Sequence, residues 1–178
     1  MKKNSKFARF KFLFKMRYTL STLLLFLVFV SCTKKQDNVI ISKNFVNEEW
    51  SRFEYLNGNI NISKAPAKCD IIMEVVVSEV FPNVYENHKD DCSLSFNMTI
   101  KYPNNSGARS NNYSYSLKDR DGNWKADKKE GYYTFKLPII SEISLGEEGV
   151  YDIKLENKYP KDPLYGIKSL TLKYVTSK

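Results

Sequence analysis

The sequence predicts an all-β fold, an antiparallel β-sandwich of about seven to nine strands, and three observations carry that prediction. Apolar residues recur at every second position in segment after segment. No window holds a helical stripe. Turn-forming clusters (PNVYENHKDD, YPNNSG, DRDGN, GEEG, YPKDP) punctuate the chain at the spacing of short antiparallel strands.

Taken in order, Phe53, Glu54 and Tyr55 with residues 60–62 are expected to supply the first strand pair. Residues 70–81 (DIIMEVVVSEVF) are apolar and β-branched, as a central strand should be. Residues 93–102 put Leu94, Phe96, Met98, Ile100 and Tyr102 on one face, with Ser93, Ser95, Asn97, Thr99 and Lys101 on the other, the pattern of a half-buried strand. Tyr113, Tyr115 and Leu117 alternate in the same way, and further strands are expected at 131–137, 150–155 and 167–175. Two sheets with inward apolar faces would share one core. A closed barrel fits less well, because 82–92 and 103–112 read as long connections rather than tight hairpins.

Ahead of this domain, residues 1–31 form a lipoprotein-type signal peptide. Seven Lys and Arg precede or enter an apolar core, LSTLLLFLVFVSC, that closes on small Ser31 and then Cys32. That core is shorter than the roughly 20 apolar residues of a membrane span. It resembles a bacterial lipobox, in which the Cys32 thiol is acylated, with palmitate as the fatty-acid class, before cleavage on its N-terminal side. The start lies at Met1 or at Met16, and either gives the same mature chain. Residues 32–44 then read as a lipid-anchored polar tether and 45–178 as a single β-sandwich domain.

The leader also accounts for the charge. The whole chain carries +8, but from Cys32 onward 21 Lys and Arg face 20 Asp and Glu, a net of +1, dispersed without a basic stripe. Nucleic acid is therefore excluded as a partner class.

Leu117, Asp119, Gly122 and Trp124 form the pattern L-x-D-x-x-G-x-W, and this resembles the motif of the gliding-motility lipoprotein GldH family of Bacteroidetes-type bacteria. An early Trp50-x-x-Phe53, the lipobox, and the tail with Gly149, Tyr151, Gly166 and Ile167 agree with it, as a distant member. The resemblance implies a lipid-anchored, non-enzymatic accessory component of the gliding machinery, with envelope proteins as partners and no cofactor. Thr33 stands where an aspartate would signal inner-membrane retention, and TKKQ lacks the acidic cluster of a surface-export signal. The expected location is therefore the outer membrane, lipid-anchored and facing the periplasm.

The same motif has a purely physical reading. Asp-x-Asp-Gly-Asn makes a tight turn in which Gly122 takes positive φ, and Trp124 packs back over the sheet. Asp119, Asp121, Asn123, Asp127 and Glu130 also have the spacing of a calcium loop, yet Trp124 occupies the position that needs glycine and three lysines crowd the site. No metal is expected. The lone histidine, His88, lies in a polar loop, and the acidic pairs sit in turns rather than across a cleft, so no catalytic set is assigned. Cys69 and Cys92 begin successive strands, which in a hairpin would place them at opposite ends, too far apart for a disulfide. The rival function is carbohydrate binding, in which Trp50, Trp124 and some of the twelve tyrosines would stack on sugars.

Overall fold

The computed structural model describes residues 38–83 and 92–176. The leader, Cys32 and His88 lie outside them. The chain is an antiparallel β-sandwich of two sheets. Its strands are β1 (Asn38–Asn44), β2 (Glu49–Trp50), β3 (Leu56–Ile62), β4 (Ala67–Ser78), β5 (Ser93–Lys101), β6 (Ala108–Ser116), β7 (Lys128–Lys129), β8 (Tyr132–Leu145), β9 (Gly149–Asn157), β10 (Leu164–Tyr165) and β11 (Ile167–Thr176). One sheet has the order β1-β11-β4-β8-β7 and the other β3-β9-β5-β6, while β2 and β10 make a separate short pair.

The core follows from alternation. β4 buries Cys69, Ile71, Met73, Val75 and Val77, and β5 buries Leu94, Phe96, Met98 and Ile100, each turning every second residue inward. As its composition predicts, β4 is interior to its sheet, between β11 and β8. The strand expected at 131–137 runs on to Leu145 as β8. Its inward set stays on odd positions, Tyr133 to Ile139 and then Ile143 and Leu145, with exposed Ser141 skipped where two register shifts interrupt the pairing with β4.

Three expectations are corrected. Residues 38–44 are not tether: they form β1, paired with β11, and bury both Ile40 and Ile41. The register shift between Val39 and Ile41 makes Ile40 an extra residue and breaks the alternation, so two successive side chains are buried where β3 of the other sheet crosses β1. Alternation alone could not reveal such a strand. Phe53, Glu54 and Tyr55 are not a strand: the chain turns there after Trp50 enters the core, and β3 pairs with β9. Finally, 103–112 is not a long connection, because the strand begins at Ala108 and only a short 3-10 turn, Pro103–Asn105, intervenes.

The corner between the sheets depends on Gly58. A Cβ there would overlap the Ile40 carbonyl oxygen and lie 2.7 Å from Ile41 Cγ1. Only glycine lets β3 cross β1 at this separation. Gly58→Ala should therefore destabilise the domain by about 3 kcal/mol or more, whereas Gly146→Ala, with open space around it, should stay within about 0.5 kcal/mol. Urea unfolding of the two variants checks this, and equal midpoints would contradict the close crossing.

Candidate functional site

The strands alternate in direction, so their connections sort to two ends. Residues 63–66, 102–107 and 146–148 join strands at one end, and 45–55, 79–92, 117–131 and 158–166 join them at the other. The long connections therefore cluster, and loops clustered on a rigid scaffold are where binding groups accumulate.

Trp50 closes the loop end. Its ring is wholly buried, it lies 5.6 Å from the Phe45 ring, and its indole N–H donates to the Glu54 carbonyl at 2.9 Å. Asn157, the one buried polar residue among those described, reads both flanking segments. Its amide NH2 donates to the Trp50 carbonyl at 2.9 Å and its oxygen accepts from the Tyr159 N–H at 2.8 Å. Arg52 adds a second tie: its guanidinium donates to the Tyr159 carbonyl at 2.9 Å and to the Pro160 carbonyl, and its N–H donates to Asp162 Oδ1 at 2.6 Å.

Beside these ties lies an open cleft of about 470 Å³ lined by Arg52, Phe53, Tyr55, Glu156, Lys158 and Tyr159 among others. Phe53 is 76 % exposed and Tyr55 52 %. Lys154 sits over the Tyr55 ring at 5.0 Å, and Lys154 and Lys158 both pair with Glu156, which holds that carboxyl below its ordinary value. Val46, Val80 and Tyr165 are exposed on the same end. Tyr165 pairs with Glu49, and Val80 adjoins the Phe81 backbone against which Gly166 packs.

Glu48 anchors the first of these loops. Its two carboxylate oxygens each accept a 2.7 Å hydrogen bond, one from the Ser78 hydroxyl and one from the Tyr132 hydroxyl. Those hydroxyls, with Lys168 adding its charge, hold the carboxyl below its ordinary value. Asn47 and Glu48 both have positive φ, and the clamp secures that unfavourable turn to the ends of β4 and β8.

The sequence-predicted turn also sits at this end. Leu117 is fully buried and donates its N–H to the Cys92 carbonyl. Asp119 Oδ1 accepts from the N–H groups of Asp121 (3.0 Å) and Asn123 (2.8 Å), while Gly122, at φ 85°, donates to the Asp119 carbonyl. Trp124 then stacks on Tyr133 at 4.4 Å, tilts against Phe135, and carries Lys118 Nζ 4.6 Å above its ring. The Asp119 carboxylate is thus spent on the turn. No three His, Cys, Asp or Glu side chains converge as a metal site among the described residues. Of the two tryptophans weighed as sugar platforms, Trp50 is core and Trp124 has its ring committed to Tyr133; the exposed rings at this end include Phe53, Tyr55 and Tyr165.

Cys69 and Cys92 are thiols. They lie on different sheets rather than on one hairpin, with Cys69 near the start of β4 and Cys92 beyond its far end. Burial, with Asp70 adding its charge, pushes the Cys69 thiol up to about 11.

The chain matches no protein-family model and no curated protein sequence.

Two outcomes follow. Asn157→Ala removes the buried side-chain bonds to the Trp50 carbonyl and the Tyr159 N–H and should cost about 2–4 kcal/mol, read by chemical denaturation. The backbone N–H of Asn123 is the main cause that holds the Asp119 carboxyl below its ordinary value when folded. Its contribution is therefore complete above the unfolded value of about 3.9 and is lost as pH falls through the lower folded one. Asp119→Ala should lower Tm at pH 7, with the gap to the parent narrowing in strong acid; calcium and a chelator should give the same Tm. A gap independent of pH would contradict the anchoring role of the carboxylate.

Proposed function

We propose that the chain is a lipid-anchored, non-catalytic envelope protein, an accessory lipoprotein of the gliding-motility type, held in the outer membrane facing the periplasm and acting through protein contacts at its loop end. One observation carries this reading: β1 enters the domain at the short-hairpin end, while the long connections and most of the exposed large apolar side chains lie at the opposite end. Only residues 33–37 separate Cys32 from β1, and an extended chain of that length reaches about 20 Å. A lipid on Cys32 would keep the hairpin end near the bilayer and present Val46, Phe53, Val80 and Tyr165 away from it. Apolar groups displayed in this way, tied down by Asn157, Arg52 and Glu48, suit a preorganised docking surface. No described helix is long and apolar enough to cross a membrane.

A second reading, carbohydrate binding, rests on Phe53 and Tyr55, two exposed rings beside polar side chains of the cleft.

Cys32→Ala should abolish fatty-acid labelling and move the protein out of the membrane fraction; unchanged labelling would end the lipoprotein reading. Phe53→Ser with Tyr165→Ser should fold normally, since both side chains are exposed, and should reduce recovery of envelope proteins in a pull-down from native membranes and impair gliding in a gliding host. Glycan-array binding that Tyr55→Ala abolishes while the pull-down is unaffected would favour the second reading.

A further inference from the structure

The two sheets have four lateral edges, and three carry a device that blocks pairing with another strand. β1 is interrupted by a register shift and covered by β3, and β3 is covered in turn at Gly58. The β8 edge carries the two-residue lysine strand β7, then exposed Lys136 and Pro138 and two register shifts. Short strands, lysines, prolines and bulges are the usual means of keeping an edge from recruiting a partner. β6 has none of them over most of its length. It pairs with β5 through nine consecutive residues without a bulge, contains no proline, and has Arg109 as its one charged residue.

Its backbone polarity is fixed by the hydrogen bonds that bracket it. Leu117 donates to Cys92 and Tyr102 donates to the Gly107 carbonyl, so the odd-numbered residues of β6 face β5. The N–H and C=O groups of Ser110, Asn112 and Ser114 therefore point away from the sheet, while their side chains lie on the exposed face. There they form an uncharged ladder with β5: Ser114 with Ser95 at 2.9 Å, Asn112 with Asn97 at 2.8 Å, Ser110 with Thr99 at 3.0 Å. At its far end the edge is already closed, since Lys125 Nζ donates to the Ser116 carbonyl and the Asn123 to Lys125 arm lies along residues 117–119.

We infer that the β6 edge pairs antiparallel with β6 of a second copy of this chain, about a two-fold axis at Asn112, joining the two four-stranded sheets. The strand is self-complementary in that register. Outward-pointing backbone groups meet in the even-numbered pairs, with Asn112 opposite the partner's Asn112 and Ser110 opposite the partner's Ser114. The Asn97–Asn112 amide contact then continues across the axis as a row of four amides. The one charge on the strand, Arg109, falls opposite the partner's Tyr115, so no like charges oppose each other. On the inward side, Tyr113 and Tyr115, half-buried and stacked on Phe96 at 5.4 and 6.3 Å, extend the core toward the new strand. An edge-to-edge contact of one strand is small beside a standard interface of roughly 1,600 Å², so the dimer is weak and reversible.

Sedimentation velocity on residues 37–178, which form one compact unit with its own core, tests the inference over a concentration series reaching the millimolar range. The expected result is a monomer–dimer equilibrium. Asn112→Pro should abolish it while leaving the β5 pairing intact, because the Asn112 N–H points outward and proline is tolerated at such an edge position. A second pair of variants keeps the test sound if the proline variant unfolds. S110K/S114K should be monomeric and S110E/S114E should be monomeric, but an equimolar mixture should restore the dimer, because the register sets each Lys against a Glu. A parent that stays monomeric throughout, or a mixture that fails to associate when the parent does, would overturn the assignment.

Discussion

One buried amide holds the loop end of this sandwich together. Asn157, at the end of β9, binds the Trp50 carbonyl and the N–H of Tyr159, so the two connections already paired through β2 and β10 are tied together again by a single side chain. A polar group in a core of Ile, Leu and Val is costly unless every bond is made. Here the bonds to the main chain are what make it favourable. Given that pair of bonds, Trp50 fills the end of the core, Arg52 reaches the Tyr159 and Pro160 carbonyls, and Phe53 is carried outward.

The asymmetry of the molecule then follows from strand direction. An antiparallel sandwich with alternating connections puts alternate loops at opposite ends, and in this chain the short ones all fall at the end where β1 begins. The same segment that a lipid would anchor thus stands opposite the loops that display apolar groups. The hairpin end needs no binding groups in that arrangement, and its turns are correspondingly tight. The loop end concentrates the charged clamps instead: Glu48 on Ser78 and Tyr132, Arg52 on main-chain carbonyls, and Asp119 on its own turn.

Edge chemistry supplies a second, independent axis. Lysine, proline and bulges guard β7 and β8, while β6 presents serine and asparagine whose backbone groups point outward. A weak pairing through β6 would leave the loop end open, since the edge runs along the side of the sandwich and the loops cap it. The docking proposed for the loop end and the self-association proposed for β6 would then use different surfaces of one small domain.

Much of the fold was legible in the residues because burial on one face of a sheet imposes a period of two. Leu94 to Ile100 and Ile71 to Val77 declare their strands without reference to anything else. The turn at Asp119 to Trp124 was legible for a different reason: its hydrogen bonds are local, and Gly122 marks the one position with positive φ in it. What the sequence could not disclose depends on contacts between distant segments. Ile40 and Ile41 are strand residues because β11 pairs with their segment, and are both buried because a register shift falls beside them where β3 crosses at Gly58; Phe53 and Tyr55 lie exposed beyond Trp50, which is drawn into the core beside Asn157. Alternation reports one covered face of a strand. Where a register shift breaks the period, or where a neighbouring indole decides which side of a turn meets water, tertiary packing alone makes the choice.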